Sequence, residues 1–88
     1  MASHSRVSVN TGAAQLLFAN PSTGTVARVW ITNRGSVAVT IGADPTVTTS
    51  TGHDLLANQT IGPIEVQPGD EIYAATGTNA QSVHLIAT

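Results

Sequence analysis

Five carboxylates, Asp44, Asp54, Glu65, Asp70 and Glu71, and three histidines, His4, His53 and His84, are the side chains from which acid–base or metal chemistry would have to be built. Glycoside hydrolysis needs two carboxyls facing each other across a cleft, with surroundings that drive their pKa values apart. Nothing in the spacing singles out such a pair. Asp70 follows Pro68-Gly69 as a turn residue, and Glu65 alternates with Ile64 and Val66, which turns it to solvent. The histidines have no HxH or HxxxH spacing, and no cysteine is present to complete a tetrahedral zinc site. Asp44 and Asp54 stand alone outside any DxDxDG-type loop, too few hard oxygen ligands for calcium. His53 and Asp54 are adjacent in a loop, where they supply no oriented base to a serine, and no nucleophile elbow occurs. These residues predict no catalytic site, no metal and no cofactor: a structural or binding unit rather than an enzyme.

The aromatic set is Phe18, Trp30 and Tyr73. A single Trp on a strand has three uses: closing the second side of a sheet, anchoring a subunit interface, or lying exposed as a platform for a sugar ring. The third use would make the chain a carbohydrate-binding module. The cations are Arg6, Arg28 and Arg34, with no lysine, a set too small for the multi-phosphate footprint that drives nucleic-acid affinity. No apolar run approaches the ~20 residues of a membrane span, and Met1–Arg6 lacks the apolar region of a signal peptide. The expectation is a chain that binds neither nucleic acid nor membrane.

The elements that carry these residues read as strands. Gly, Pro, Thr, Val and Asn recur too often for a helix, and no long window keeps the i, i+3, i+4, i+7 pattern. Strand signals fall at Val7–Asn10, Gln15–Phe18, Arg28–Asn33, Val37–Ile41, Ile64–Val66, Glu71–Ala74 and Val83–Ala87, with a further short edge strand near Asp54–Leu56 anchored by Leu55 and Leu56. Arg34-Gly35-Ser36 between two β-rich runs reads as the turn of a hairpin. In that hairpin Val29, Ile31, Val37, Val39 and Ile41 form the core face, and Trp30, Thr32, Ala38 and Thr40 the opposite one. Pro68-Gly69 suits a type II turn, with the next strand starting at Glu71. The fold expected is all-β, one small antiparallel β-sandwich of about seven short strands over residues 7–88, jelly-roll or immunoglobulin-like. Residues 1–6 read as a flexible tail, or as an arm reaching to a neighbour.

At 88 residues, with 9% charged residues and a net charge of −2, the chain is small and weakly charged. Per-residue scaling gives about 4–13 kcal/mol of net stability. Disulfides are excluded by composition, which leaves association as the device that stabilises small domains.

The segments Ala13–Asn20, Arg28–Asn33, Val37–Gly42, Val47–Gly52 and Val66–Ala74, taken in order, resemble small phage virion proteins of the capsid decoration kind. The resemblance covers most of the chain and lies in strands and turns, so it transfers no site residue. It implies a non-enzymatic sandwich on the virion capsid surface, assembled in the host cytoplasm. Such a protein is often a homotrimer and clamps the major capsid protein against the pressure of packaged DNA. A fibre, tail or baseplate domain is the alternative within the same setting. For contact with a lattice, Arg6, Val7 and Val9 belong to an arm that would add a strand to an exposed edge. Trp30, Thr32, Ala38 and Thr40 form the candidate face between subunits.

Overall fold

A computed structural model of the chain describes residues 3–21 and 24–88. Eight strands form: β1 (Ser3–Val9), β2 (Gln15–Ala19), β3 (Ala27–Asn33), β4 (Val39–Gly42), β5 (His53–Leu55), β6 (Thr60–Val66), β7 (Glu71–Ala75) and β8 (Gln81–Ala87). They pair antiparallel as two sheets of four, ordered β1-β8-β3-β6 and β2-β7-β4-β5. The pairs β1·β8, β2·β7, β3·β6 and β4·β5 are nested, as in one long hairpin rolled on itself. That is the jelly-roll order, which decides between the two sandwich types the sequence allows.

Alternation explains the layers. In β3, Ala27, Val29, Ile31 and Asn33 are buried while Arg28 is exposed and Trp30 and Thr32 are half-buried. Opposite them, Val39 and Ile41 of β4, Leu55 of β5 and Ile72 and Ala74 of β7 turn inward from the second sheet, so the core is the space between the layers. Leu55 is fully buried and Leu56 is 59% exposed, so only one of the two leucines anchors the long β4–β6 connection, and β5 is the short edge strand expected there. The Pro68-Gly69 turn also forms as its residues dictate. Gly69 has φ +88°, the Asp70 N–H donates to the Gln67 carbonyl at 3.0 Å, and β7 starts at Glu71.

Two expectations are corrected. Arg28–Asn33 and Val37–Ile41 are not a hairpin: β3 and β4 belong to different sheets, and residues 34–38 cross between them. Both strands turn an apolar face inward from opposite layers, and two buried amides hold the crossing. Asn33 Nδ2 donates to the carbonyls of Val37 (2.8 Å) and Leu55 (2.9 Å), and Gln81 Oε1 accepts from the N–H groups of Ser36 (2.8 Å) and Val37 (3.1 Å). The N-terminal arm is corrected as well. Met1 and Ala2 lie outside the described residues, but Ser3–Arg6 belong to β1, in unbroken register with β8 from Ser3↔Ala87 to Val9↔Gln81. Val7 and Val9 do add a strand to an edge, and that edge is the chain's own β8. Their inward faces supply the reason, since Val9 is fully buried and Val7 packs against the core. Val9→Ala is therefore expected to lower stability by about 2 kcal/mol, read as a lower urea midpoint at unchanged slope. A tail that merely lay along the surface would give no change.

Candidate functional site

The sandwich offers one broad face where polar, aromatic and charged side chains meet, the outer surface of β1-β8-β3-β6. Strand pairing arranges it in rows. One row runs His4, Ile86, Trp30; the next runs Arg6, His84, Thr32, Thr60; beyond the second lie Ser82 and Arg34, and beyond the first Thr88, Arg28 and Glu65. Trp30, Thr32, Arg34, Thr60, His84, Ile86 and Thr88 line an open depression of about 790 Å³ on this surface.

The bulge in β6 shapes the depression. Register shifts between Val29↔Ile64 and Ile31↔Ile61, which places Gly62-Pro63 beside Trp30. Gly62 has φ +139°, and a Cβ there would come within 2.9 Å of Trp30 Cδ1. Only glycine allows the indole to sit this close to the β6 backbone. The ring is thus packed against the sheet on the Gly62 side, and it lines the depression beside Ile86, which is 51% exposed. Across the neighbouring row the Thr32 and Thr60 hydroxyls are bonded to each other at 2.7 Å.

Electrostatics give this face a sign. Arg6, Arg28 and Arg34 are all the cations of the chain, and all three are here; Glu65, opposite Arg28, is the single carboxylate among them. The half-buried position of His84, with Arg6 and Arg34 nearby, holds its imidazole below the ordinary value of 6.5. A folded-state pKa below the unfolded one means that protonation opposes folding. The His84 contribution is present above pH 6.5 and lost as pH falls from there through the lowered value. The melting temperature should therefore drop more steeply between pH 7 and pH 5 in the native chain than in His84→Gln. Parallel curves would show that the imidazole does not couple to folding.

The other candidate residues do not join this face. Thr40 is on β4, in the opposite sheet, and is 3% exposed: the β4–β5 connection folds over it, and its hydroxyl donates to Asp54 Oδ1 at 2.9 Å. Ala38 is exposed in the crossing segment before β4. Trp30 and Thr32 therefore share no surface with Ala38 and Thr40, because the assumed hairpin is a crossing between layers. Three of the four carboxylates outside the face are engaged locally, Asp54 through Thr40. Asp44 accepts from both the N–H and the hydroxyl of Thr46, which lowers its pKa, and Glu71 accepts from the Tyr73 hydroxyl at 3.0 Å, which raises that of Tyr73. Among the described residues no three His, Asp or Glu side chains converge as metal ligands, and no helix is long and apolar enough to cross a membrane. Sequence reading missed Arg34, Thr60, His84 and Ile86 as parts of one surface, since their meeting depends on the β3·β8 and β3·β6 pairings.

The sheet edges form a second feature. Of the four edge strands, β5 has three residues, β2 is broken by a register shift between Leu16 and Phe18, and β6 carries its bulge and Pro63. β1 alone runs seven residues in continuous register, without proline or glycine. Natural sheets usually blunt such an edge, because its outward N–H and C=O groups form a template for another strand.

No protein-family model matches the chain, and no curated protein matches it in sequence. Its fold is similar to that of a solved chain from the structure described as "Bacillus endospore appendages form a novel family of disulfide-linked pili". The TM-score is 0.65 at 13% sequence identity, covering 99% of this chain and 83% of that one.

Proposed function

We propose that the chain is a non-enzymatic structural subunit that works within a repeating protein assembly and joins its neighbours through the open edge of β1. The observation that carries this reading is the edge itself: a seven-residue strand in continuous register, with one side unpaired among the described residues, in a sandwich whose other three edges are short or interrupted. Strand addition there supplies a row of backbone hydrogen bonds without needing charged or aromatic anchors, which suits a chain with 9% charged residues. Repetition then turns weak single contacts into a stable lattice.

Two lattices fit. The sequence resemblance favours a virion head, where the chain would cap the major capsid protein as a decoration protein and hold the shell against internal pressure, in trimers if the resemblance extends to symmetry. The likeness to a chain from pili favours a filament built from its own copies. This chain has no cysteine, so these residues would not be joined by disulfides in such a filament.

The purified protein separates the two. Light scattering and electron microscopy of the protein alone should show filaments if it polymerises by itself. A capsid subunit would instead form a discrete oligomer that adds to preformed shells with saturable stoichiometry. A protein that stays monomeric at high concentration and adds to no shell defeats the reading.

A further inference from the structure

We infer that the depression on the outer face of β1-β8-β3-β6 is a binding site for an acidic saccharide, with Trp30 as the stacking platform and Arg34 and Arg6 as partners of the sugar carboxylate. This inference stands apart from assembly through β1, and unassembled protein is enough to test it.

The first argument is shape. A sugar ring binds protein by laying its C–H face on an aromatic plane and directing its hydroxyls sideways to polar groups. Trp30 is half-buried and packed closely against Gly62, with Ile86 extending the apolar strip toward β1. The adjoining row begins one strand repeat away, about 6.8 Å along β3, and presents the Thr32 and Thr60 hydroxyls and the His84 imidazole. Thr88 closes the other end of the same depression.

The second argument is charge. A protein of net charge −2 has placed all three of its arginines on this one surface, with a single carboxylate among them. An arginine fork matches a carboxylate and holds it by charge-assisted hydrogen bonds. Three arginines are too few for a nucleic-acid backbone, which needs many phosphate contacts at once. A second copy of this chain is the less suitable occupant. Three of the four carboxylates away from this face, Asp44, Asp54 and Glu71, are already bonded to Thr46, Thr40 and Tyr73. Those bonds leave the charges in place, but the acidic group that Asp70 and Glu71 form with Glu65, in a smaller depression of about 260 Å³, is a small patch to set against this face.

Trp30 is the only tryptophan, so its emission reports the site directly. The probe is tetragalacturonate, and the control is its methyl ester, which keeps the ring and removes the charge. Titration with tetragalacturonate should give a saturable change in emission. By calorimetry, Trp30→Ala and Arg34→Gln should each weaken binding at least tenfold, and so should esterification of the ligand. Arg34 lies just beyond β3, so Arg34→Gln tests the site even if Trp30→Ala fails to fold. Three results overturn the inference: equal affinity for the ester, no change at millimolar tetragalacturonate, or equal affinity for polyphosphate, which would make the face a generic anion patch. A change in Trp30 emission that follows protein concentration without ligand and disappears in Arg34→Gln would also overturn it, by showing a second copy on the face.

Discussion

Asn33→Leu is expected to cost about 4 kcal/mol, enough to leave the chain close to its unfolding midpoint if native stability is at the low end of about 4–13 kcal/mol. The leucine is nearly isosteric, so little volume is lost, and the effect isolates hydrogen bonding. Asn33 is fully buried and makes three bonds: Nδ2 to the carbonyls of Val37 and Leu55, and Oδ1 from the Gly35 N–H at 2.8 Å. Its substitution leaves these three backbone groups without partners, at about 1–3 kcal/mol for each group that water cannot reach. The Leu55 carbonyl is the most buried of them. Asn20 performs the same task at another connection, donating to the carbonyls of Thr25 (2.8 Å) and Val66 (2.9 Å). Asn20 is 7% exposed and its side chain satisfies two backbone groups where Asn33 satisfies three, so Asn20→Leu should cost less. Urea unfolding of the two variants checks the order, and equal losses would show that the number of backbone groups left unpartnered does not set the cost.

Those asparagines mark the boundary of what the sequence made legible. Local pattern was enough wherever the deciding contact is local. The alternation of Val29 and Ile31 with Trp30 and Thr32, the Pro68-Gly69 turn and the start of β7 all follow from side-chain period and backbone preference. The β3–β4 connection is not legible locally, because a glycine-containing turn between two apolar runs has the same local grammar in a hairpin and in a crossing. What decides is Gln81, which bonds residues more than forty positions away, and the Asn33 bond to Leu55. The order of the N-terminus is hidden for a related reason. Ser3–Arg6 are polar and carry no turn or strand signature of their own, and their ordering comes from β8 at the far end of the chain. Only Val7 and Val9, two residues apart, hinted at a buried face. The charged surface was hidden in the same way: Arg6 and Arg34 are close only because both neighbour β8. Inference from separate side chains therefore found Trp30 but not the surface around it.

The edge of β1 yields the second large effect, on assembly rather than on folding. Along an antiparallel edge strand, successive residues direct their backbone N–H and C=O groups alternately to the partner strand and away from the sheet. Of the neighbours His4 and Ser5, one donates to β8 and the other turns its N–H outward. Proline at the outward position removes no bond within the chain, and edge strands tolerate proline there. Proline at the inward position removes a bond to β8 and should cost about 1–3 kcal/mol. His4→Pro and Ser5→Pro should therefore behave oppositely: one unfolds at lower urea with assembly otherwise retained, and the other folds normally but assembles at least tenfold less readily, about 1.4 kcal/mol per tenfold. Arg6, Arg34 and Trp30 are retained in both variants, and His4, at the β1 end of the Trp30 row, does not line the depression, so saccharide binding should survive in the stable variant. If both variants fold and assemble as the native chain does, the β1 edge is not the joint, whatever occupies the outer face of the sheet. If the stable variant loses assembly and keeps saccharide binding, this small sandwich carries two independent surfaces, an edge for its lattice and a face for what the lattice meets.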